Sequence, residues 1–564
     1  MPRAPLVSGL AVALSPLALA LACSGGSPPI GAAAPMSTGP GISAADLKAR
    51  LLILADDSMQ GRRAGTEGNV KGTDYIAAEA GRIGLTPAGE DGGWFQTVPM
   101  VEREISKEST LRVDDAVFSP STDFALRDQG KGTRPLDGVQ AVYGGVLGDS
   151  SQSVITPDEA SGKLVVITMA PAPGGQPVGT VNRALTTAQF STAAGIAVAT
   201  LDAIGAAEQA ELRQGSAQLA AAPSKPTPSF MYVTSRFATA LLGRSAAQAK
   251  AGDPGKTVRG VATYTERPAP YPARNVVAIL PGSDPALKGE FVAIGAHNDH
   301  IGIAPVAQDH DSIRAFNRVM RKEGANSTPG VPTAEQEAQI RTILDSLRKI
   351  GPARMDSIFN GADDDGSGSV AVLDIAEALA RGPDHPKRSV LFVWHTGEEL
   401  GLLGSDWFTR HPTVPRDSIV AQLNIDMIGR GSVTDFPGGG PGYLQMIGSR
   451  RLSTELGDLV ERMNTDGKFG FDFDYQFDAD GEPNNYYCRS DHYMYARFGI
   501  PIAFFTTGAH LDYHQLTDEP QYIDFAKMAR VASLVKATAV AVADLDHRVV
   551  VDKAKPDPEG VCKQ

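Results

Sequence analysis

Residues 394–405 read WHTGEELGLLGS and place two glutamates, Glu398 and Glu399, directly after an apolar run. A solvated turn can carry such a pair without any chemical role. The pair gains significance if metal-type ligands also follow other apolar runs, because active sites of open α/β sheets form beyond the carboxyl ends of the strands. The rest of the chain therefore decides what these glutamates do.

Polar clusters follow nearly every apolar run in the second half of the chain. EFVAIGA is followed by HNDH at 297–300, GADDDGSGS covers 361–369, AQLNI precedes Asp426, and IPIAFF leads to TTGAHLDYHQLTD. These clusters supply imidazoles and carboxylates without thiolates. Such ligands suit Zn²⁺ at a catalytic site that keeps open coordination positions.

The same residue types could serve a pair of metal ions. Two ions about 3.5–4 Å apart, bridged by an oxygen ligand, can activate one water and polarise a carbonyl. This chemistry also needs a general base that is not itself a ligand. Adjacent residues on a strand-end turn point in different directions, so Glu399 can hold a metal while Glu398 takes a proton from the attacking water.

The elements that must position these groups change character along the chain. Residues 44–86 carry apolar residues at helical spacing behind Ser43, which predicts helices. From about Phe95 to Tyr264, short apolar runs between Gly and Pro predict a β-rich stretch. From Asn275 onward, near-continuous apolar strands alternate with helical segments, which indicates a sheet buried on both faces.

With these motifs in this order, the chain resembles metallopeptidase family 28, the dizinc aminopeptidases related to glutamate carboxypeptidase and transferrin receptor. The resemblance includes GRRAGTEGN, YIAAEAGRIGLTPAG and WFQTVPM, and continues from Asn275 to about His514–Asp518. It implies the zinc exopeptidase fold, an α/β fold with a mixed, largely parallel sheet sandwiched by helices. The intervening residues resemble a protease-associated (PA) domain, which implies an inserted β-rich domain.

The resemblance also implies a site with two Zn²⁺ per chain. Its expected metal ligands are His297, Asp364 as the bridging carboxylate, Glu399, Asp426 and His514. Its expected catalytic residues are Glu398 as general base, with Tyr513 and Arg489 where some relatives stabilise the oxyanion.

Two carboxylates are expected behind the ligands. Asp299 would orient the His297 imidazole, and Asp518 would support His514. Three further histidines near the cluster match no ligand of the family, and we interpret them as structural or pocket-lining: His300, His310 and His395.

These observations predict a sequence of domains. They are a signal peptide at 1–22, a flexible tether at 23–43, the N-terminal part of the peptidase at 44–98, a PA-like domain at 99–266, the catalytic domain at 267–546, and a tail at 547–564. Residues 303–358 form a polar insertion between the His297 and Asp364 motifs. A long segment at the mouth of a site often acts as a lid or wall.

The N-terminus predicts export. Arg3 precedes an apolar run from Leu6 to Ala22, and the small residues before Cys23 resemble a bacterial lipobox. A lipidated Cys23 would tether the protein to the bacterial envelope; ordinary cleavage would leave it periplasmic or secreted. Cys488 and Cys562 could form a disulfide, but the sequence alone leaves their pairing open.

Charge and ligand content separate the candidate functions. The formal net charge of −13 argues against nucleic acid as a partner. Peptides or proteins are the substrates that the resemblance implies. The leading hypothesis is an exported zinc aminopeptidase. A carboxypeptidase of the glutamate carboxypeptidase type would need a basic pocket, to which Arg489 alone contributes. A non-enzymatic receptor on the same fold is disfavoured because every expected ligand is present, and the PA-like domain could contact substrate or a partner chain.

Overall fold

A computed structural model describes residues 38–564, apart from 121, 128–132, 150, 172–180, 182, 206–208, 210–211, 213–214, 221–225, 328 and 561. The predicted signal peptide, Cys23 and most of the tether lie outside these residues. Gly39–Gln564 form one unit. Within the part of the chain that is described, no helix has the length and apolar character needed to cross a bilayer.

The described strands fall into two large sheets and two small ones. In chain order they are β1 Thr86–Pro87, β2 Phe95–Val98, β3 Met100–Ile105, β4 Thr110–Val113, β5 Ala116–Phe118, β6 Phe124–Arg127, β7 Val139–Leu147, β8 Leu164–Met169, β9 Gly195–Val198, β10 Ser216–Leu219, β11 Ser229–Val233, β12 Pro254–Val261, β13 Tyr264–Pro268, β14 Ala273–Leu280, β15 Phe291–His297, β16 Gly302–Asp309, β17 Met355–Phe359, β18 Ser389–His395, β19 Ile419–Ile425, β20 Tyr443–Ile447, β21 Asp472–Asp474 and β22 Ile502–Thr506.

The first large sheet is mixed and largely parallel at its centre. Its order is β1-β14-β18-β15-β19-β22-β20-β21, and β2 also pairs with β14. The four central strands β18, β15, β19 and β22 are parallel, whereas β14 and β20 run antiparallel to their central neighbours. The carboxyl ends of the four central strands therefore meet along one edge.

Both faces of this sheet are buried, as the apolar runs predict. In β18, Val390, Phe392 and Trp394 pack into one core cluster. The alternate residues Leu391 and Val393 pack into another. Because side chains of a strand alternate between faces, helices must cover both sides of the sheet.

Helices supply these covering layers. Those that contribute to the two core clusters of this sheet are Ala44–Leu54, Glu67–Ile83, Gly368–Arg381, Leu403–Arg410, Thr454–Asp466, His492–Ala496 and Phe525–Ala543. The other described α-helices lie in the β-rich region and the insertion: Pro157–Ala160, Arg183–Gln189, Ser235–Leu242, His310–Met320 and Ala334–Arg348. Shorter helical turns are Asp57–Arg62, Glu90–Gly92, Ala246–Gln248, Gly324–Asn326, Ala362–Ser367, Arg416–Ser418, Gln476–Asp478, Tyr486–Cys488 and Pro520–Tyr522. The predicted Ser43 cap is confirmed, since its side chain accepts from the Asp46 N–H at 3.1 Å.

A second, eight-stranded sheet forms between Thr110 and Val261. Its order is β5-β4-β12-β7-β8-β9-β11-β6, with β7, β8, β9 and β11 parallel. Residues alternate between two core clusters here too: Leu164 and Val166 enter one, and Val165 and Ile167 enter the other. A three-stranded sheet, β10-β3-β13, joins the flanking strands β3 and β13 with β10, which lies within this stretch of the sequence. The chain thus carries a β-rich unit where one was predicted, and its identity as a PA domain stays a prediction.

The polar insertion has regular structure of its own. Strands β16 and β17 pair antiparallel at its base. The helices His310–Met320 and Ala334–Arg348 lie between these strands in sequence. The second helix begins with a capping box, in which Thr333 and Gln336 each accept from the other's backbone.

Candidate active site

The polar clusters found in the sequence meet at the carboxyl edge of the central parallel strands. His297 is the last residue of β15, and His395 is the last residue of β18. Asp426 directly follows β19, and the loop after β22 leads to His514. Because these strands are neighbours, residues from distant parts of the chain converge on one place.

Asp364 lies on a turn that several backbone contacts hold in place. Gly361 begins this turn with φ of 53°, and the Asp364–Asp365 peptide bond is cis. The Asp518 carboxylate accepts from the N–H groups of Asp363 at 3.1 Å and Asp364 at 3.0 Å. Asp518 therefore supports the bridging candidate Asp364, rather than His514 as expected.

The two outer aspartates of this turn also bind backbone. Asp365 accepts from the N–H groups of His297 at 3.1 Å and Met427 at 3.2 Å. Asp363 accepts from the Gly429 N–H at 2.6 Å. Both carboxylates thus fix the segments that carry His297 and Asp426, which leaves the central Asp364 to point into the site.

Asp364 shares a first group with His297 and Asp426. One ligand atom from each of these three buried residues lies within 4.8 Å of the others. His297 Nε2 is 3.1 Å from Asp364 Oδ1 and 3.7 Å from Asp426 Oδ1. The other Asp426 oxygen accepts from the Ser490 hydroxyl at 2.7 Å, which fixes the carboxylate's rotation.

The opposite side of Asp364 faces a second group. Glu399, Asp364 and His300 again bring ligand atoms within 4.8 Å. His514 Nε2 also lies here, 3.1 Å from Asp364 Oδ2 and 2.9 Å from Glu399 Oε2. Asp364 thus presents one oxygen to each group, which is the arrangement that a bridging carboxylate needs.

His300 lies closer to the possible metal ligands than the sequence analysis predicted. Its buried ring lies 2.6 Å, Nδ1 to Oε1, from Glu399. We interpreted it as structural or pocket-lining, and the structure puts it among the possible ligands. The signal was present in HNDH, where His300 follows His297 by three residues.

The other two histidines have structural surroundings. His395 Nε2 is 3.0 Å from the Tyr495 hydroxyl, and its Nδ1 is 3.4 Å from Asp491. His310 lies in the insertion, and its ring stacks on Tyr522, which lies outside the insertion. These placements agree with their structural interpretation.

Asp299 contacts both the His297 ring and the backbone of Glu398. His297 Nδ1 is 3.1 Å from the Asp299 backbone carbonyl and 3.7 Å from its carboxylate. The carboxylate accepts from the Glu398 N–H at 3.1 Å. The backbone of Asp299 therefore orients the His297 ring more closely than its side chain does, and the side chain holds Glu398 in place.

Glu398 lies beside the two groups in a buried setting. Burial, together with the negative charges of Glu399 and Asp426, holds the pKa of Glu398 well above its usual range, although His297 opposes this. In contrast, although burial alone would raise it, the His297 and His514 imidazoles hold the pKa of Asp364 well below its usual range. Two carboxylates with separated pKa values suit different tasks, one as a proton acceptor and one as a ligand.

A single cavity joins the predicted catalytic residues. It is lined by Asp364, Glu398, Asp426, Met427, Tyr486, Arg489, Ser490, Phe504, Thr506, Ala509 and Tyr513. Arg489 Nη2 donates to the Tyr513 hydroxyl at 3.2 Å. Burial raises the pKa of Tyr513 well above its usual value. The phenol therefore keeps its proton and can donate a hydrogen bond to an oxyanion.

The chemistry of these donors fits divalent cations. Asp426 Oδ1 is buried and has no hydrogen-bond partner among the described residues, yet it points toward His297. Buried carboxylates that repel one another are costly unless a positive charge neutralises them. Oxygen and imidazole donors without thiolates match zinc at a catalytic site.

Comparison with known protein families finds a match in the second half of the chain. Residues 344–539 match the model of peptidase family M28. This range contains Asp364, Glu398, Glu399, Asp426 and His514, whereas His297 precedes it.

Curated relatives match over limited stretches. Leupeptin-inactivating enzyme 1 of Streptomyces exfoliatus is 30% identical over 172 residues, which cover 30% of this chain and 34% of that protein. An aminopeptidase of Pseudomonas aeruginosa is 39% identical over 144 residues, which cover 21% of this chain and 26% of that protein. The chain thus spans about a third or less of the length of these two relatives.

Among solved structures, an aminopeptidase from Aneurinibacillus sp. strain AM-1 aligns over 91% of this chain and 97% of its own, with 17% identity and a TM-score of 0.48. A zinc aminopeptidase from Bacillus subtilis aligns over 89% and 95%, with 16% identity and a TM-score of 0.46.

Proposed function

We propose that this chain, whose residues 344–539 match the model of peptidase family M28, is an exported zinc aminopeptidase that removes N-terminal residues from peptides. The observation that carries the proposal is the cavity that Glu398 lines together with Asp364, Asp426, Arg489 and Tyr513. The names of two curated relatives, the aminopeptidase of Pseudomonas aeruginosa and a probable leucine aminopeptidase of Arthroderma benhamiae, support an aminopeptidase over a carboxypeptidase.

Two zinc ions per chain are part of the proposal. His297 and Asp426 would hold one, Glu399 and His514 the other, and Asp364 would bridge them. When bound, the ions would lower the pKa of the attacking water and polarise the scissile carbonyl.

The chain's own residues would carry the proton and stabilise charge. Glu398, whose pKa is raised by burial, would accept a proton from the attacking water and pass it to the leaving amine. Tyr513 and Arg489 would donate hydrogen bonds to the oxygen of the tetrahedral species. Their hydrogen bond to each other keeps both donors at the same wall of the cavity.

Export is supported by a disulfide. Cys488 and Cys562 are bonded, with their Cα atoms 5.9 Å apart. Such bonds persist in oxidising compartments and are rare in the cytosol. This agrees with the predicted signal peptide, and lipidation of Cys23 would tether the protein to the bacterial envelope.

Peptides and proteins are the proposed substrates, and the β-rich unit would contact them or a partner chain. The net charge of −13 makes nucleic acid an unsuitable partner.

The proposal is tested with a peptide library, half with free N-termini and half acetylated. Mass spectrometry would follow residue loss by the purified protein with zinc, with a chelator, and in Glu398→Gln. Loss from free N-termini alone, abolished by chelator and reduced at least about a hundredfold in the variant, is the expected result.

Glu108→Gln is the matched control, because this exposed glutamate lies in the β-rich region and should leave the activity unchanged. Loss of C-terminal residues irrespective of acetylation would instead establish a carboxypeptidase. No cleavage by folded, zinc-loaded protein would contradict the proposal.

A further inference from the structure

We propose that the insertion, residues 303–358, is a fixed brace for the loop that carries Tyr513 and His514. Arg314 and Arg321 of the insertion would act as positioning residues for the second metal group. The inference rests on the proposed function for its catalytic meaning, but its structural content can be tested separately.

Arg314 makes a deeply buried contact between the insertion and the loop. Its Nη1 lies 2.6 Å from Asp512 Oδ2, in a pair where Asp512 is 0% exposed and Arg314 is 7% exposed. Its guanidinium also lies 3.4 Å from the centre of the Tyr522 ring. Separating this pair costs free energy, because a buried charge loses one of its partners.

Asp512 joins three parts of the chain. Besides Arg314, its carboxylate accepts from Arg430 at 2.9 Å and from the Thr517 hydroxyl at 2.6 Å. Arg430 follows the Asp426 segment and also pairs with Asp435 at 2.6 Å. The insertion, the Asp426 loop and the His514 loop are thus held through one aspartate, two residues before His514.

Arg321 binds the backbone of the same loop. Its Nη1 donates to the Leu511 carbonyl at 2.7 Å and lies 3.4 Å from the Tyr513 carbonyl. These carbonyls flank Asp512, so the guanidinium fixes the backbone immediately before His514. His514 itself has φ of 58°, a conformation that a non-glycine residue adopts only when its surroundings impose it.

Close backbone packing completes the brace. The Ala325 N–H donates to the Ala509 carbonyl at 2.9 Å. A Cβ added to Gly324 would lie 2.0 Å from that carbonyl oxygen, so the two segments approach as closely as glycine allows. The Tyr486 hydroxyl donates to Asn326 at 2.9 Å, which links the insertion to the wall of the catalytic cavity.

The two helices of the insertion differ in their attachment. The helix His310–Met320 carries Arg314 and buries five further residues. The helix Ala334–Arg348 has no fully buried residue, and Arg348 joins it to Asp309 and Asp311. The helix His310–Met320, here called the inner helix, therefore forms the brace. The helix Ala334–Arg348, the outer helix, packs on the inner one.

The test replaces Arg321 with methionine, which keeps the aliphatic stem and removes the guanidinium that contacts the two carbonyls. Arg321→Met should weaken binding of the second zinc at least about tenfold, measured by competition with a chromogenic chelator. It should also lower kcat more than KM, and speed amide hydrogen exchange across residues 509–514. Arg321→Lys, which retains one donor, should recover part of the zinc affinity.

Arg341→Met is the matched control, since Arg341 is exposed on the outer helix and, among the described residues, pairs with Glu337 of the same helix. Equal zinc affinity and equal exchange in Arg321→Met and Arg341→Met would overturn the brace. Zinc binding and exchange do not depend on peptidase activity, so failure of the proposed function would be recognised separately.

If Arg321→Met does not fold, exchange in the unmodified protein decides. A brace requires the amides of 310–325 and 509–514 to share one level of protection, because they open as one unit. Faster exchange in 310–325 while 509–514 stay protected would identify a lid that moves by itself, and would overturn the proposal.

Discussion

Three consecutive aspartates, Asp363, Asp364 and Asp365, show how adjacent identical residues do different work. The outer two accept from backbone N–H groups of the Gly429, His297 and Met427 segments. Only Asp364 faces both possible ligand groups. Backbone donors occupy both oxygens of Asp365 and one oxygen of Asp363, which leaves these carboxylates fewer lone pairs for a metal. The division of tasks follows from the turn, not from the residue type.

His300 gives a prediction at this scale. Its Nδ1 lies 2.6 Å from Glu399, so the imidazole fixes the carboxylate that would hold the second zinc. His300→Ala should therefore lower the affinity for this zinc by about tenfold to a hundredfold, as loss of a supporting partner commonly does. Zinc per chain after equilibration with a chelator of known affinity measures it, and one ion should be retained where the unmodified protein keeps two.

His395→Ala is a suitable control for this variant. His395 is equally buried at the end of the neighbouring strand, but its ring contacts Tyr495 and Asp491. It should destabilise the fold while both zinc ions are kept. Identical zinc loss in the two variants would mean that His300 acts only through packing.

At the scale of elements, strands and helices with strong periodicity were predictable from the sequence. The apolar runs before His297, Glu398 and Asp426 are the central strands, because burial on both faces demands continuous apolar residues. The contacts of Asp518 were not predictable, because they depend on which turns approach one another across the strand ends. For His300, the spacing in HNDH gave a signal, but its contact with Glu399 depends on how the fold brings the two strand ends together.

The turn before the helix Gly368–Arg381 gives a second prediction. Gly361 has φ of 53°, and an added Cβ would lie 2.3 Å from the Asp364 carbonyl oxygen and 2.5 Å from the His300 ring. The left-handed conformation costs an alanine roughly 1–2 kcal/mol, and overpacking adds about 1–3 kcal/mol. Gly361→Ala should therefore lower the free energy of unfolding by about 3 kcal/mol, measured with urea, and should abolish peptidase activity.

Gly330→Ala controls for the substitution itself. Gly330 lies in the insertion, where an added Cβ meets nothing within 4 Å. It should leave the unfolding midpoint and the activity unchanged. A Gly361→Ala protein of normal stability and activity would show that the Asp364 turn tolerates displacement.

At the scale of the whole molecule, the site depends on segments from both ends of the chain. Arg62, which precedes the β-rich unit, is 1% exposed and donates to the carbonyls of Gly361 at 2.9 Å and Asn298 at 3.3 Å. It thereby joins the backbone of the Asp364 turn to that of the His297 strand end. The candidate site is therefore completed by residues on either side of the β-rich region.

The C-terminal tail is fastened to the same region by the Cys488–Cys562 disulfide, which links residues 74 positions apart. Closing a loop of this length restricts the unfolded chain and stabilises the fold by about 4 kcal/mol in the loop-entropy model. Cys562→Ser should lose an amount of this order in urea unfolding. Reductant should destabilise the unmodified protein equally but leave the variant unaffected.

Cys488 precedes Arg489, so the variant should also lose activity before it unfolds, as the Arg489–Tyr513 pair loosens. Unfolding that reductant does not alter in the unmodified protein would show that the tail is held by its other contacts, such as the Gln564 side chain that accepts from the Tyr487 N–H at 2.9 Å.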